Sequence, residues 1–316
     1  MISVTILAAV LVGGASQVMA YNASCGDNLA VYWGQNSVGG QQNLAAYCQD
    51  STINAIPIAF LNKFFSTGGL PEINLANTCG IANGVFPGTS LANCQFLAAD
   101  IEACQQRNKI VTLSLGGGTG IDALASDTQG IAFANTIWDL FLGGSSDTRP
   151  FGSAVLDGVD LDIEAGSPTG FAAFVNQIRN LSVGANKQYF VTAAPQCPFP
   201  DAHLGDALNA ANFDAIYVQF YNNACGISTP DVSVQFIFIR GISSPPGQTF
   251  DFWAWDTWAK TVSPNKNVKI FIGAPASPAA ADGYIDAETL GALAVSTRSQ
   301  FSSFGGVMLW SVHLLR

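Results

Sequence analysis

The sequence is poor in charged residues, and above all in positive ones. Lysine, arginine, aspartate and glutamate make up 11% of the 316 residues, and 12 basic residues stand against 22 acidic ones, which gives a formal net charge of −10. Such a surface repels phosphate backbones and anionic lipid headgroups. We therefore expect neither nucleic acid nor an anionic membrane as a partner, and a neutral substrate such as a polysaccharide fits better.

Metal-binding residues are also few. The chain has two histidines, His203 and His313, and its seven cysteines include no Cys-x-x-Cys pair. A structural zinc site uses four such ligands at close spacing, so we expect no metal and no cofactor. Cysteines in this number are typical of an oxidising compartment. Because seven is odd, one thiol is left over, and Cys25 is our candidate for it.

Long apolar runs are missing beyond the N-terminus. Residues 1–20 form a short apolar segment that ends in small residues, as a signal-peptide cleavage site requires, although no lysine or arginine precedes it. A buried N-terminal strand or helix is the alternative. No later stretch reaches the ~18 uninterrupted apolar residues of a membrane span. We expect a secreted protein with one domain over residues 21–316 and glycan acceptor sequons at Asn22 and Asn180.

Short apolar, β-branched runs recur along the chain, each followed by a turn and a helical pattern. The predicted strands lie near Leu29–Trp33, Ile53–Phe60, Ile110–Leu115, Val159–Ile163, Tyr189–Ala193, Ala215–Phe220, Val268–Ile272 and Gly306–Trp310, and predicted helices include Leu91–Arg107, Ile131–Leu142, Gly170–Leu181 and Ala287–Ser303. This alternation implies an α/β fold with a parallel sheet buried on both faces. Eight such units close most simply as a (β/α)8 TIM barrel, and a doubly wound open sheet is the alternative.

The most informative segment is DGVDLDIE, which spans Asp157–Glu164. Asp160, Asp162 and Glu164 alternate with apolar residues, and a strand directs alternate side chains to opposite faces. In a barrel all three carboxyl groups would point inward, where they repel one another and are poorly solvated. They are tolerated if at least one acid stays protonated near pH ~6, as the general acid of a glycosidase must. Glu164 comes last, at the end of a strand where barrels place catalytic residues.

Two other interpretations of this segment are open. A calcium loop also has acids at alternate positions, but it separates them with glycine and polar residues and ends on a distant glutamate. A solvated strand face is the second alternative, and it would expose one side of a strand whose composition is otherwise that of a buried one.

DGVDLDIE resembles the DxxDxDxE signature of glycoside hydrolase family 18. Six further blocks are similar, in matching order over nearly the whole mature chain, to the hevamine-like class III chitinases of plants and fungi. They are LAVYWGQN (Leu29–Asn36), IAFLNKF (Ile58–Phe64), LSLGGG (Leu113–Gly118), TAAPQCPFPD (Thr192–Asp201), VQFYNN (Val218–Asn223) and GGVMLW (Gly305–Trp310). The longer of these matches are highly specific, and the predicted strands coincide with the blocks.

The resemblance implies that Glu164 protonates the glycosidic oxygen and that Asp162 orients the substrate's 2-acetamido group and stabilises its positive charge. Asp160 would lie beneath Asp162 and share a proton with it. Tyr221 would hydrogen-bond the acetamido carbonyl. In this family the substrate's own acetamido oxygen is the nucleophile, which accounts for the lack of a second catalytic carboxylate in that role.

The resemblance also assigns the sugar-binding mouth. Trp310 would form the floor beneath the distorted sugar, because an aromatic face suits the apolar side of a pyranose ring. Further residues expected to line the mouth are Tyr32, Phe60, Gln219 and Asn222. For each aromatic ring, packing in the core is the alternative. His203 is interpreted as a surface or capping residue, and no motif supports a Ser-His-Asp triad.

The segment Asn62–Gly88 is rich in glycine, asparagine and proline and is predicted as an extended loop after the second strand. It contains Cys79 and leads to Cys94, so a local disulfide would tie it down. The family resemblance implies the disulfides Cys48–Cys104, Cys79–Cys94 and Cys197–Cys225, with Cys25 left free.

Two features depart from the family pattern. The chain ends six residues after Trp310, so we expect the barrel to lack its final helix. Val234–Gln248 is expected to be an insertion after the sixth strand. We hypothesise that both are errors of the gene model, and an uninterrupted transcript encoding both segments would contradict this.

These observations predict a secreted, monomeric chitinase that hydrolyses β-1,4-linked N-acetylglucosamine with retention of configuration. An endo-N-acetylglucosaminidase or a lysozyme-like hydrolase is an alternative that would use the same chemistry on a different substrate. A lectin or enzyme inhibitor on the same barrel is the alternative from another class, although such relatives typically lose the acid that Glu164 supplies here.

Overall fold

The computed structural model describes residues 21–35, 40–120, 123–228 and 250–311. The predicted signal peptide, the predicted insertion Val234–Gln248 and His313 lie outside the described residues. The expectation of a missing final helix concerns the chain beyond Ser311, which is likewise not described.

Eight parallel strands close into a barrel, and a ninth, short strand pairs antiparallel with one of them. The nine strands of the described residues are β1 (Asn28–Val31), β2 (Ala55–Lys63), β3 (Glu72–Ile73), β4 (Ile110–Gly116), β5 (Gly158–Asp162), β6 (Phe190–Ala193), β7 (Ala215–Gln219), β8 (Lys269–Pro275) and β9 (Phe304–Trp310). All but β3 are parallel to their neighbours, in the order β1, β2, β4, β5, β6, β7, β8 and β9, and β9 pairs back with β1. The predicted (β/α)8 barrel is confirmed, and the open-sheet alternative is wrong.

Helices surround this barrel. They are α1 (Leu44–Tyr47), α2 (Ala98–Gln105), α3 (Asp127–Phe141), α4 (Phe171–Leu181), α5 (Gly205–Ala210), α6 (Phe252–Thr261) and α7 (Ala287–Gln300). Ser126 caps α3 by accepting a hydrogen bond from the Gln129 N–H, so this helix begins before the predicted Ile131. Among the described helices, none combines the length and apolar composition of a membrane span.

Helix α2 begins at Ala98, well after the predicted start at Leu91. The intervening residues have other partners, because Ala92 forms a β-bridge with Val85 and Cys94 is bonded to Cys79. The apolar residues of this segment are buried in an irregular connection. Their spacing resembles that of a helix, so periodicity could not distinguish the two.

The predicted long loop Asn62–Gly88 contains a short strand. β3 pairs antiparallel with the end of β2, where Leu61 lies opposite Ile73, and the Lys63 Nζ lies 3.1 Å from the Glu72 carboxylate. A two-residue strand is too short to show an alternating pattern, so periodicity could not predict it.

Three disulfides connect the loops. The pairs are Cys48–Cys104, Cys79–Cys94 and Cys197–Cys225, which the family resemblance implies, and Cys25 is a free, half-buried cysteine. The pair Cys197–Cys225 joins the loop after β6 to the loop after β7.

Close backbone contact at the start of β5 requires glycine. Gly158 has φ of +150°, and a Cβ atom there would collide with the Phe190 carbonyl oxygen of β6. The approach fixes the register in which Val159 lies opposite Val191 and Asp160 opposite Thr192.

We predict that Gly158→Ala lowers the free energy of unfolding by about 2–5 kcal/mol, because it adds steric overlap and an unfavourable φ. Urea titration followed by circular dichroism measures the change. Gly291→Ala is the matched control, since its Cβ on α7 would contact nothing within 4 Å. That substitution should leave stability unchanged or raise it by up to ~1 kcal/mol. Equal effects of the two substitutions would contradict the packing argument.

Candidate active site

Strand β5 brings two carboxyl groups into the barrel. Asp160 and Asp162 point inward and are buried, while Val159 and Leu161 pack outward in the apolar core. Glu164 follows two residues after the strand ends and is half-buried at the mouth. The alternation in DGVDLDIE thus separates the acids from the apolar residues as strand geometry requires.

Asp160 is the deepest of the three acids and is held by three hydroxyl groups. Its Oδ2 accepts hydrogen bonds from the Tyr32 hydroxyl at 2.6 Å and the Ser114 hydroxyl at 2.7 Å, and its Oδ1 accepts one from the Thr192 hydroxyl at 2.6 Å. Burial raises the pKa of Asp160, and the three hydroxyl donors oppose that rise. The donors lie on or directly after the three strands β1, β4 and β6, so this arrangement ties the barrel together around one side chain.

Asp162 lies between Asp160 and Glu164. The Gln219 Nε2 donates to its Oδ1 at 2.8 Å and also to the Ala194 carbonyl at 2.9 Å. Burial, and then the charges of Glu164 and Asp160, hold the pKa of Asp162 well above its usual range. Low solvation and neighbouring negative charge both disfavour the ionised form of this carboxyl group.

Glu164 combines an elevated pKa with access to the mouth. Burial raises the pKa of Glu164, while hydrogen bonds with Gln219 and Asp162 oppose the rise. Asp162 thus acts on the pKa of Glu164, and the expected sharing of a proton between Asp160 and Asp162 stays a prediction. A half-buried acid that retains a proton and reaches solvent is able to donate that proton to a bound ligand.

Two glycines directly after β4 lie beside the acids and the Phe60 ring. The Gly117 N–H donates to the Asp162 carbonyl at 2.7 Å, and a Cβ atom at Gly117 would lie 2.7 Å from the Phe60 ring. A Cβ atom at Gly118 would lie 3.5 Å from a Glu164 carboxylate oxygen. In the sequence, LSLGGG contributed to the family resemblance alone, and the contacts supply the physical reason for its glycines.

An aromatic cluster lies at the ends of β1, β2 and β9. The rings of Phe60 and Trp310 stack with centroids 5.5 Å apart and an interplanar angle of 22°. Tyr32 packs edge-on against Trp310 at 5.5 Å and is only 1% exposed. We expected Tyr32 to line the mouth, but it lies beneath the surface, where its hydroxyl binds Asp160. Trp310, which is half-buried, presents the accessible ring.

Tyr221 and Asn222 follow β7. Burial, and after it the charges of Asp162 and Glu164, hold the pKa of Tyr221 well above its usual range, so its hydroxyl stays a neutral donor. Asn222 has φ of +57°, and its side-chain oxygen accepts a hydrogen bond from the Asp282 N–H at 3.0 Å. This hydrogen bond holds the loop after β8, and the expected sugar contact of Asn222 stays a prediction.

Asp201 is a residue that the sequence interpretation missed. Its carboxylate accepts hydrogen bonds from the backbone N–H groups of Gln196, His203 and Leu204, at 3.0, 2.9 and 2.6 Å. The negative charge of Asp201 raises the pKa values of Asp162 and Glu164, although burial raises them more. Its position at the end of the TAAPQCPFPD block was the only signal in the sequence.

His203 lies on the same loop as Asp201. Its Nδ1 is 3.0 Å from the Gly166 carbonyl oxygen, two residues after Glu164, and it is half-buried. The charge of His203 lowers the pKa of Glu164, and this effect is smaller than that of burial. The expectation of a surface or capping residue therefore understates how near His203 lies to the acid.

The candidate metal ligands of the described residues lie elsewhere. Cys197, Cys225 and Asp251 are close enough together to hold an ion, but the two cysteines are bonded to each other and offer no thiolate. The chemistry that the mouth itself offers is proton transfer beside an aromatic floor.

Comparison with known proteins gives concordant matches. The family model of the glycosyl hydrolases family 18 matches residues 28–287. Chitinase 2 of Rhizopus oligosporus is 48% identical over 93% of this chain and 50% of its own length, and this chain spans about half the length of several such curated relatives.

Two solved structures have similar folds. The ICChI chitinase from Ipomoea carnea is 33% identical with a TM-score of 0.73, over 91% of this chain and 95% of that chain. The xylanase and alpha-amylase inhibitor protein XAIP-II from Scadoxus multiflorus is 32% identical with a TM-score of 0.72, over 91% and 93%.

We predict that Asp162→Asn reduces the dependence of stability on pH. A buried acid with a raised pKa stabilises the fold most below its unfolded value of ~3.9, and that stabilisation is lost as the pH rises through the folded value. The free energy of unfolding should therefore fall between pH 4 and pH 7 by less in Asp162→Asn than in the wild type. Urea titrations at the two pH values measure this difference, and an equal or larger fall in the variant would contradict it.

Proposed function

Since this chain belongs to the glycosyl hydrolases of family 18, we propose that it hydrolyses β-1,4 linkages in chitin or N-acetylglucosamine oligosaccharides, with Glu164 as the proton donor. One observation supports this above the others: Glu164 is accessible at the mouth, has a pKa raised by burial and lies beside the buried Asp162. A structural role would not require an acid with all three properties at this place.

In the first step the sugar lies against the apolar ring of Trp310, and Glu164 protonates the oxygen of the scissile bond. The leaving group departs as an alcohol, and positive charge develops at the anomeric carbon of the sugar that remains bound. The 2-acetamido oxygen of that sugar attacks the anomeric carbon, which gives a cyclic oxazolinium intermediate.

Asp162 and Tyr221 are the groups that would act on the acetamido group. The Asp162 carboxyl, held by Gln219, lies next to Glu164 and would orient the amide and stabilise its positive charge. The Tyr221 hydroxyl, neutral and close enough for the charges of Asp162 and Glu164 to raise its pKa, would donate to the amide oxygen. Asp160 would support Asp162 from below, where three hydroxyl groups fix its position.

In the second step Glu164, now ionised, removes a proton from water as the water attacks the anomeric carbon. Two displacements at the same carbon restore its original configuration, so the product is the β-anomer. Glu164 ends protonated, and the raised pKa favours its return to that state.

A non-catalytic binding protein is the second candidate, because XAIP-II, which has a similar fold, is named as an inhibitor of xylanase and alpha-amylase. The site favours catalysis here, since Asp160, Asp162, Glu164 and Tyr221 are all present in one arrangement. An N-glycan endo-N-acetylglucosaminidase or a lysozyme-like hydrolase would use the same four groups, and the similarity to Chitinase 2 favours chitin.

We also propose that the protein is secreted and that residues 21–316 form a single catalytic domain that acts as a monomer. Three disulfides are compatible with an oxidising compartment. A secreted hydrolase is suited to a polymer that is too large to enter a cell.

We predict that Glu164→Gln lowers kcat/KM for a fluorogenic chitotrioside by roughly 100-fold or more, because the glutamine cannot donate a proton. The assay compares it with the wild type and with Glu288→Gln, which changes an exposed glutamate on α7. Circular dichroism verifies that all three are folded. A folded Glu164→Gln with wild-type activity would rule out this residue as the acid, and a folded wild type that binds chitotriose without cleaving it would favour the lectin.

We predict further that hydrolysis requires the acetamido group and retains configuration. Chitopentaose should give the β-anomer first, as observed by proton NMR before mutarotation. Cellopentaose, which has a hydroxyl in place of each acetamido group, should not be cleaved. An initial α-anomer, or cleavage of cellopentaose at a comparable rate, would contradict the substrate-assisted mechanism.

A further inference from the structure

We infer that Asn180 carries an N-linked glycan and that the first N-acetylglucosamine of this glycan covers the exposed side chain of Val183. The inference rests on the secretion that is part of the proposed function, because such glycans are attached in the secretory pathway. Its physical basis is the place of the sequon on the barrel, the exposure of the Asn180 amide and an apolar side chain one turn away.

Both sequons lie at the end of the barrel opposite the mouth. Asn180 is in the last turn of α4, which runs from the catalytic end back toward the start of β6. Asn22 precedes β1, which starts at the same end. Since the mouth lies where the parallel strands end, a glycan at either sequon leaves it clear.

This placement matters because of the chemistry of the glycan itself. The innermost sugars of an N-glycan are N-acetylglucosamine units joined by a β-1,4 linkage, which is the linkage that the proposed function cleaves. Attached to a loop beside Glu164, they would place a tethered substrate at the mouth. At Asn180 they are separated from Glu164 by the length of the barrel.

The Asn180 side chain is available for modification. It is exposed, and among the described residues its amide has no hydrogen-bond partner. The turn that follows, residues 183–186, is also exposed, and a Cβ atom at Gly184 would contact nothing within 4 Å. A glycan on the Asn180 Nδ2 therefore has room and breaks no contact of the fold.

Val183 supplies an apolar surface beside this sequon. It is 81% exposed, more than any other large apolar side chain of the described residues. Its N–H donates to the Asn180 carbonyl at 3.2 Å, so the backbone turns and brings the two residues close together. The apolar face of a pyranose ring on Val183 would remove part of this side chain from water, which stabilises the folded state.

The sequon at Asn22 lacks such a neighbour. No exposed large apolar side chain of the described residues lies within four residues of it in the chain. Its side-chain oxygen accepts a hydrogen bond from the Ser24 N–H at 2.9 Å, and Ala23 and Ser24 border a cavity of about 580 Å³ whose lining includes three lysines. A sugar there would cover polar groups that water already solvates, so the contacts favour Asn180.

The attachment is a transfer from a lipid-linked oligosaccharide diphosphate of the secretory pathway. The Asn180 Nδ2 forms a bond to the anomeric carbon of the first sugar and loses one proton, while the bond from that carbon to the phosphate oxygen breaks and the lipid diphosphate leaves. The sequon requires the hydroxyl of Ser182. In the folded protein this hydroxyl donates to the Arg179 carbonyl at 2.8 Å, so the transfer would precede the folding of α4.

The first test reads the occupancy of Asn180 in the full chain secreted by a eukaryotic host. Peptide mass spectrometry after enzymatic deglycosylation in isotope-labelled water should mark Asn180 in the wild type and in Ser182→Thr, which keeps the sequon. Asn180→Gln and Ser182→Ala should both lose the mark. Asn22→Gln is the control and should retain it. A secreted wild type with Asn180 unmodified, or with a glycan at Asn22 alone, would overturn the inference.

A second measurement tests the contact with Val183. Removal of the whole glycan should lower the melting temperature of the wild type by about 2 °C. The shift should be at most half as large in Val183→Thr, which keeps the shape and adds a hydroxyl. Trimming that leaves the first sugar in place should keep the melting temperature of the wild type. Equal shifts in the two proteins, or no shift in the wild type, would contradict the packing of the sugar on Val183.

Activity separates this inference from the proposed hydrolysis. Asn180→Gln should keep the wild-type kcat/KM for the fluorogenic chitotrioside, because the glycan lies far from Glu164. If Asn180 is occupied and the folded wild type hydrolyses nothing, the proposed hydrolysis fails and the inference stands. If the wild type hydrolyses the chitotrioside and Asn180 is unmodified, the inference fails alone.

Discussion

Burial of several carboxyl groups inside one barrel is the constraint on which the rest of the site depends. Each ionised group would lose solvation and repel its neighbours, so the fold surrounds the acids with donors while burial raises their pKa values. Tyr32, Ser114 and Thr192 give three hydroxyl donors to Asp160. Gln219 serves Asp162, and Glu164 alone reaches the mouth. Burial therefore raises the pKa of Glu164, at the place where the proposed function requires a proton donor.

The backbone around these acids has to approach closely, and glycine makes the approach possible. Gly158 fixes β5 against β6, and Gly117 leaves space for the Phe60 ring beside the Asp162 carbonyl. Phe60 then stacks on Trp310 and forms the apolar side of the mouth. The proposed proton donor and the proposed sugar floor are therefore positioned by the same strand contacts, so a change in strand register would displace both.

A disulfide and side-chain hydrogen bonds, rather than helices or strands, hold the loops around the mouth in place. Cys197–Cys225 joins two of them, Asp201 organises the loop after β6, and Asn222 holds the loop after β8. A rigid rim suits a substrate that is itself a stiff polymer, because neither partner has to be ordered on binding. Under the proposed function, such a rim would let a protein with little surface charge bind a neutral ligand through shape, stacking and hydrogen bonds.

The sequence by itself determined the eight strands, the barrel and the alternation of Asp160, Asp162 and Glu164, because these depend on local periodicity and on motifs of adjacent residues. It could not place β3, whose two residues are too few for a pattern, or the start of α2, where burial in an irregular segment imitates a helix. Contacts between distant segments decided the rest. Only the tertiary structure brought Tyr32 under the mouth to Asp160, joined Gln219 to Asp162, turned Asn222 toward Asp282 and placed Asp201 near the acids. Such contacts join residues far apart in the chain, and no local pattern of residues encodes which of them will meet.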